Sequence, residues 1–288
     1  MTRILLIAGL VAGIAACTKA GTPTSPSPDS PSQATFYTAI GASDGIGFGS
    51  SSPCLPFAEC PQGKGYVQIL LQRLREGGRT VGHRNLSLPG SVLSQAVFDL
   101  AASAGRPIDN LAGNFIEREA PFVPGETTHI TIFAGGNDAN TIAFAARSQN
   151  VANIPTFVDA QVRQWGTDLE ELVARIRARA PNARIVALNL PNLAGAPYLA
   201  ANPVVEKSIM QRVAVGLSDR VNALTARNVL VVDLMCDARL YLPANYASDG
   251  FHPGDGGYAV FAELTLPALR DGTNRAPSTT CAQRTLFP

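Results

Sequence analysis

From residue 35 onward, short and almost continuously apolar runs alternate with longer amphipathic segments. Apolar runs of about four to eight residues are typical of buried strands, whereas apolar positions spaced three and four apart are typical of helices. The apolar runs predict strands over residues 36–40, 80–86, 129–134, 184–190 and 229–234. The amphipathic segments predict helices over residues 65–76, 91–103, 167–179, 202–227 and 256–270.

This alternation favours one α/β domain. Strands that are apolar on both faces and alternate with helices form a parallel sheet covered on both sides, and right-handed crossovers make it a three-layer α/β/α sandwich. Because neither an internal repeat nor a second linker interrupts residues 35–288, we assign them to one domain. Residues 138–166 are interpreted as a long connection before a helix that starts at a capping box of Thr167 and Glu170.

The first sixteen residues have the layout of a secretory signal, because the positive Arg3 precedes an apolar stretch that ends in small residues. The tetrapeptide Ile14-Ala15-Ala16-Cys17 resembles the bacterial lipobox, which implies a lipid attached to Cys17. The alternative is an ordinary signal peptide cleaved near Ala16, with Cys17 incidental. We predict that residues 1–16 are a lipoprotein signal peptide.

Residues 17–34 then contain the lipidated cysteine and a tether rich in Pro, Ser and Thr that cannot form a core. We expect an exported bacterial cell-envelope lipoprotein, periplasmic or at the cell surface, held at a membrane through Cys17. Thr18 stands where an Asp would resemble an inner-membrane retention signal. The outer membrane is therefore favoured if the cell has two.

The remaining cysteines number four, an even count that suggests two disulfides in an exported protein. Three pairings are open. Cys54–Cys60 is the simplest because the intervening loop is short and contains Pro56, and Cys236–Cys281 would then hold the C-terminal tail. The spacing does not match a zinc site, and no metal is expected.

The charge balance excludes several classes of partner. Lys and Arg together number 23 against 22 Asp and Glu, a formal net charge of +1. A chain so close to neutral has no electrostatic footprint for nucleic acid. No apolar run reaches the roughly 18–20 residues that a membrane span requires.

Four polar, glycine-containing blocks stand where the chain leaves a predicted strand or enters the last predicted helix. In sheets of this kind, ligands bind in the crevice beyond the carboxyl ends of the strands. The blocks are Gly41-Ala42-Ser43-Asp44-Gly45, Asn85-Leu86-Ser87-Leu88-Pro89-Gly90, Gly135-Gly136-Asn137-Asp138 and Ser248-Asp249-Gly250-Phe251-His252-Pro253.

In this order the blocks resemble those of the SGNH, or GDSL, family of serine hydrolases, over residues 36–265. The resemblance matches the family's Ser, Gly, Asn, His and carboxylate to Ser43, Gly90, Asn137, His252 and Asp249. The first block departs from the usual G-D-S, because Ala42 replaces the Asp. The resemblance implies a flavodoxin-like fold with a five-stranded sheet in the order 2-1-3-4-5, and hydrolysis of an ester or thioester.

The chemistry of these residues also predicts such an activity. A serine hydroxyl becomes a strong nucleophile only when a base takes its proton. His252 is the histidine in a polar loop with an acid nearby, and Asp249 could hold its ring. The backbone N–H groups of Ser43 and Gly90 and the side chain of Asn137 could donate to the oxyanion. We predict a carboxylesterase or lipase that uses a Ser-His-Asp triad and an acyl-enzyme.

The substrate is less defined than the chemistry. Phe144, Phe157 and Tyr198 are candidate pocket residues, and extra packing against the core is the alternative for the long connection that contains the first two. We expect a small-molecule or lipid ester as substrate, no cofactor and a monomer. The alternatives are a glycan deacetylase or a thioesterase of the same fold, or a non-catalytic envelope lipoprotein that only binds.

Overall fold

Five parallel strands form the sheet of this protein. The computed structural model describes residues 34–108, 111–149 and 151–288. The strands are β1 (Thr35–Gly41), β2 (Val81–Asn85), β3 (His129–Phe133), β4 (Arg184–Leu188) and β5 (Leu230–Val232). They lie in the order β2-β1-β3-β4-β5, and every neighbouring pair is parallel. The predicted sheet and its strand order are therefore confirmed.

Helices flank this sheet and complete the predicted α/β fold. They are α1 (Tyr66–Arg75), α2 (Gln95–Ser103), α3 (Phe115–Arg118), α4 (Gly136–Ser148), α5 (Ile154–Arg179), α6 (Val204–Ala223) and α7 (Asp255–Asp271). Helices α1 and α7 pack against each other, while α4, α5 and α6 form a second group in mutual contact. In α1, Tyr66, Leu70 and Leu74 recur at every fourth position and are buried, which is the stripe that the sequence pattern predicts.

The long connection predicted over residues 138–166 is wrong, because those residues belong mostly to α4 and α5. Helix α5 starts at Ile154, where the side chain of Asn153 accepts a hydrogen bond from Thr156 N at 3.0 Å. Thr167 lies inside the helix, and its hydroxyl donates to Arg163 O rather than capping a terminus. Gly166 also lies inside α5, where a Cβ atom would come within 2.6 Å of the Arg220 side chain.

Two other predicted helices are shorter than expected. Residues 91–94 form a loop before α2. In this loop Leu93 N donates to Asp138 and the Ser94 hydroxyl donates to Asp168, instead of the bonds that a helix would form. Helix α6 follows Pro203, whose backbone is extended, and the side chain of Asn202 donates to Glu206 Oε2 at 2.8 Å. At its other end α6 continues as a 3-10 turn, Leu224–Arg227.

A cluster of aromatic rings fills the core below the carboxyl ends of the strands. The Phe133 ring at the end of β3 stacks edge-on against Tyr66 of α1 and Phe261 of α7, with ring centroids 6.4 and 5.3 Å apart. Tyr258 adds a fourth ring at 6.0 Å from Phe261. Edge-to-face pairs of this kind stabilise a core beyond the area they bury. The cluster is therefore the packed core directly beneath the loops that follow the strands.

Both predicted disulfides form in the structure. Cys54 pairs with Cys60 and Cys236 with Cys281, with Cα atoms 5.7 and 5.6 Å apart. The second bond joins the loop after β5 to the C-terminal tail, as expected. The predicted signal segment and Cys17 lie outside the described residues, as does the tether apart from Ala34. Within the described part of the chain, no helix is long and apolar enough to cross a membrane.

Candidate active site

The first and third polar blocks start side by side because of the register of the sheet. Gly41, the last residue of β1, is paired with Phe133, the last residue of β3. The loops that follow therefore leave the same edge of the sheet as neighbours. Ser43 begins a 3-10 helix, Ser43–Ile46, and its residue surface is only 7% exposed.

Close contact between the first two blocks fixes the backbone beside Ser43. The side chain of Asn85 at the end of β2 donates to Gly45 O at 2.8 Å. A Cβ atom at Gly45 would clash with the side chain of Ser87, so only glycine permits this approach. The Ser43 loop is therefore held against the second block rather than free to move above it.

The structure brings Ser43, His252 and Asp249 into a continuous hydrogen-bonded series. Ser43 Oγ lies 2.8 Å from His252 Nε2, and His252 Nδ1 lies 2.6 Å from Asp249 Oδ2. Ser43 and His252 are 209 residues apart in the sequence. Only the fold brings these two side chains together.

Asp249 holds the histidine loop and the histidine ring with different oxygens. Its Oδ1 accepts hydrogen bonds from the backbone N–H groups of Phe251 and His252, both at 2.9 Å. Burial opposes ionisation, but the hydrogen bonds from the His252 ring and from these N–H groups keep the pKa of Asp249 below its usual value. Because an ionised carboxylate only accepts, Nδ1 must donate, which leaves the Nε2 lone pair for the Ser43 hydroxyl.

Two aromatic rings pack against the His252 imidazole. The centroid of the Phe48 ring lies 4.7 Å from that of His252, and the Phe251 ring stands edge-on at 4.8 Å. Tyr198 packs edge-on against Phe251 at 5.1 Å, and its hydroxyl donates to Asn140 Oδ1. The candidate pocket residue Tyr198 thus borders the site through Phe251. Sequence reasoning missed the role of Phe48, because nothing in its local pattern distinguishes it from other apolar loop residues.

Gly90 lies at the third position of a tight turn. Ser91 N donates to Leu88 O at 3.1 Å, Pro89 is the second residue, and Gly90 has a φ of 80°. This is the pattern of a type II turn, which requires a residue without a Cβ atom at that position. Gly90 is half-buried, and its neighbour Ser91 lines the same small cavity as Ser43.

Asn137 in the first turn of α4 faces the same cavity. Its Nδ2 donates one hydrogen bond to Ser91 O at 2.9 Å, which leaves the second amide hydrogen available. The backbone carbonyl of Asn137 accepts a hydrogen bond from the Arg106 side chain at 3.1 Å. The amide is therefore oriented by contacts on both its side chain and its backbone.

Asp138 ties this helix start to the loop that follows the second block. Its carboxylate is fully buried, and Oδ1 accepts from Leu93 N at 2.8 Å and from Trp165 Nε1 at 3.0 Å. Burial raises the pKa of Asp138 to about 6, against the effect of these hydrogen bonds. The loop that contains Gly90 and the helix that contains Asn137 are thereby joined.

Two small cavities lie where the first, third and fourth polar blocks meet. One, of about 10 Å³, lies between Ser43 and Asn137, and a second, of about 30 Å³, shares four lining residues with it. The shared residues are Asp44, Phe133, Gly136 and Phe251. Phe144 and Phe157 line neither cavity, and Phe157 packs against the core, so the structure does not bring these two candidates to the site.

The other two histidines take part in structural contacts. His83 Nδ1 lies 3.1 Å from Tyr37 O, and burial lowers the pKa of His83 to about 4. His129 at the start of β3 contacts the Thr128 hydroxyl at 2.7 Å. Among the described residues, no group of three or more His, Cys, Asp or Glu side chains could hold a metal ion.

Comparison with known proteins gives a family and several fold relatives. The model of the GDSL-like lipase/acylhydrolase family matches residues 39–260. Among solved structures, an extracellular lipase from Streptomyces rimosus is 19% identical with a TM-score of 0.50, and covers 83% of this chain and 100% of its own. A phospholipase A1 from Streptomyces albidoflavus is 18% identical with a TM-score of 0.55 and the same two coverages.

An acetyl xylan esterase from Geobacillus stearothermophilus is 17% identical with a TM-score of 0.51, over 84% of this chain and 97% of its own. At such identities these structures show a shared fold. No curated protein sequence matches this chain significantly.

Proposed function

This chain belongs to the GDSL-like lipase/acylhydrolase family, and on that premise we propose that it is a serine carboxylesterase with Ser43 as its nucleophile. The observation that carries the proposal is the pair of hydrogen bonds from Ser43 to His252 and from His252 to Asp249. A buried serine whose hydroxyl meets an oriented imidazole is the arrangement that nucleophilic catalysis requires.

The geometry supports a two-step reaction. Ser43 Oγ attacks the ester carbonyl carbon, and its proton passes to His252 Nε2, while the carbonyl electron pair moves onto oxygen. The imidazolium that forms is stabilised by the ionised Asp249. Collapse of the tetrahedral intermediate expels the alcohol, which takes the proton from Nε2. A water molecule then attacks the acyl-enzyme and gives a proton to His252 Nε2. When the bond between the acyl carbon and Ser43 Oγ breaks, the carboxylic acid leaves and His252 returns the proton to Ser43 Oγ.

The oxyanion needs donors that are fixed before the reaction begins. We assign this role to the backbone N–H groups of Ser43 and Gly90 and to the free amide hydrogen of Asn137. The cavity between Ser43 and Asn137 supports the assignment, because it is the space next to the attacking oxygen. The contacts of Ser91 and Asp138 hold these donors in place, so little reorganisation is required when charge develops.

The two cavities favour an ester with a short acyl chain. A cavity of about 10–15 Å³ holds one water molecule, so the space at Ser43 fits a single small group, which is the oxyanion in the assignment above. The second cavity is larger and mostly apolar, with walls formed by residues such as Leu190, Leu193 and Leu240. The acyl chain would then extend toward the second cavity, whose volume of about 30 Å³ accommodates a short chain.

A series of p-nitrophenyl esters from acetate to palmitate tests this proposal. We expect the highest kcat/KM between acetate and butyrate and a decrease of about tenfold or more at octanoate, because methylenes beyond the second cavity would clash with the side chains that close it. A maximum at octanoate or longer chains would contradict the short-chain proposal while leaving the nucleophile untouched.

A variant pair sharpens the test. Leu240→Ala enlarges the second cavity and is expected to shift the preference toward hexanoate and octanoate. Leu224→Ala removes an equally buried leucine that lines neither cavity, and it should leave the chain-length profile unchanged. The comparison separates a change of pocket volume from a general loss of packing.

We also propose that the enzyme acts at the cell envelope, anchored by a lipid on Cys17. The support is the signal-like sequence of residues 1–16 and the Pro-, Ser- and Thr-rich segment after it. When the full-length gene is expressed in a bacterium, the protein should partition into the detergent phase of Triton X-114, and Cys17→Ala should move it to the aqueous phase. Equal partitioning of both forms would argue against the anchor.

A further inference from the structure

A buried carboxyl group outside the triad lies beneath the loops of the active site. Glu119 stands between α3 and a short 3-10 helix, Ala120–Phe122, and its residue surface is 0% exposed. Its Oε2 accepts a hydrogen bond from Gly41 N at 3.0 Å. Gly41 is the last residue of β1 and precedes Ser43 by two positions. The proposed mechanism gives Glu119 no chemical step.

The same carboxyl also faces the second block. Burial raises the pKa of Glu119 well above its usual value, and the groups that oppose this shift are the backbone N–H groups of Gly41 and Leu88 and the hydroxyl of Ser91. Among the described residues, Glu119 Oε1 and the Ser91 hydroxyl have no hydrogen-bond partner, so the bond from Gly41 N is the one that holds the carboxyl. Leu88 N also donates to Gly41 O at 3.2 Å, which closes the junction between the two loops.

Ser91 extends this junction to the third block. It follows Gly90 directly, its hydroxyl faces Glu119, and its carbonyl accepts the hydrogen bond from Asn137 Nδ2. The three donor residues therefore adjoin the neighbours of Glu119. Gly41 is two positions before Ser43, and Ser91 directly follows Gly90 and accepts the hydrogen bond from Asn137. Ser43, Gly90 and Asn137 carry all of the oxyanion donors assigned above.

We propose that Glu119 is a positioning residue that fixes the relative placement of the three oxyanion donors through its hydrogen bond to Gly41 and its buried position beside Leu88 and Ser91. It acts by shape and hydrogen bonding, without touching the substrate. The inference rests on the proposed esterase function. Its consequence is that kcat, which depends on donor placement in the transition state, is sensitive to Glu119, whereas KM is not.

Steady-state kinetics of Glu119→Gln, Glu119→Ala and Glu119→Met, measured with p-nitrophenyl acetate, test the proposal. The glutamine amide can accept from Gly41 N and donate toward Ser91, so kcat should stay within about threefold of wild type. The alanine variant should lose about 100-fold in kcat with KM nearly unchanged, because a misplacement of about 1 Å has this effect. Met fills the volume without an acceptor, so its kcat should fall similarly even if Glu119→Ala does not fold.

A matched control separates positioning from stability. Thr127 is 4% exposed, and its hydroxyl shares a hydrogen bond of 2.9 Å with the Thr38 hydroxyl. Because Thr127 precedes β3, it lies at the end of the strands opposite the candidate active site. Thr127→Val should lower the Tm but keep kcat near wild type. The rate of Ser43 labelling by a fluorophosphonate should fall in parallel with kcat in Glu119→Ala and Glu119→Met, since that reaction also places negative charge on an oxygen held by these donors.

The outcomes distinguish this inference from the proposed function. Wild-type turnover that is abolished in Ser43→Ala establishes the function, and the Glu119 variants are then compared with that wild type. Folded Glu119→Ala and Glu119→Met with kcat within about threefold of wild type would overturn the inference alone. A folded Glu119→Gln as slow as Glu119→Met would also overturn it, because the charge and not the hydrogen bonding would then matter.

Discussion

Ser43→Ala is expected to lower kcat for p-nitrophenyl acetate by about 10⁴–10⁶-fold, the largest effect of any single substitution in this chain. The reason is that the hydroxyl supplies the attacking oxygen, and no other group can take its place next to His252. The remaining turnover should approach what the oxyanion donors and substrate binding give without a nucleophile. Initial rates at saturating substrate, with active-site titration of the wild type, measure the difference.

The matched control for this substitution is Ser50→Ala. Ser50 lies in the same segment of the chain, and its hydroxyl donates to Gly47 O at 2.7 Å rather than to the histidine. It should retain kcat within about threefold of wild type, since a surface side-chain change away from the reacting atoms has a small effect. If Ser43→Ala, folded and pure, retained more than a few per cent of wild-type turnover, Ser43 would not be the nucleophile.

Asp249→Asn is the second large effect, with an expected loss of about 10³–10⁴-fold in kcat. The substitution keeps the size of the side chain but can present an N–H to His252 Nδ1. The ring would then carry its proton on Nε2, facing Ser43, and could not act as base. KM should change little, because Asp249 contacts the histidine loop and not the cavities.

Asp255→Asn controls for the loss of one negative charge at this end of the molecule. Asp255 begins α7 and accepts hydrogen bonds from the backbone and hydroxyl of Ser51, with no contact to His252. Its kcat should remain near wild type. Equal losses in the two variants would show that general charge, rather than orientation of the imidazole, explains the effect of Asp249.

The parts of the site that the sequence predicts are those defined by local pattern. Ser43, Asn137 and His252 each follow a strand or precede a helix within a short polar block, and parallel strands deliver such blocks to one edge of the sheet. The regular alternation of apolar runs with helices predicts the parallel sheet, whereas its strand order was implied by the resemblance to the SGNH family. The polar blocks and the alternating elements are each defined by residues close together in the sequence, so a local pattern is sufficient to predict them.

The errors arise where distant contacts decide the structure. Helix α4 buries mainly small side chains such as Ala139 and Ala143, so its apolar face has little contrast in the sequence. Thr167 and Glu170 have the spacing of a capping box but lie inside α5, where Gly166 accommodates Arg220 of α6. The start of α5 was therefore placed thirteen residues too late, at Thr167 rather than Ile154.

Glu119 could not be found from the sequence for a related reason. It is 78 residues from Gly41, its hydrogen-bond partner, and belongs to none of the four polar blocks. A glutamate beside a short helix is ordinarily a surface residue. Only the packing of residues 113–116 against the segment just after the second block, through bonds such as Phe115 N to Val92 O at 3.0 Å, brings it under the active site.

Covalent labelling with peptide mapping tests the central claim most directly. The wild-type protein is treated with a fluorophosphonate, digested and analysed by mass spectrometry, alongside Ser43→Ala and Ser50→Ala. The account predicts one adduct, on Ser43, in the wild type and in Ser50→Ala, with loss of ester hydrolysis in step with labelling, and none in Ser43→Ala. An adduct on another residue that tracks the loss of activity, or full ester hydrolysis by a protein that is not labelled at Ser43, would contradict it.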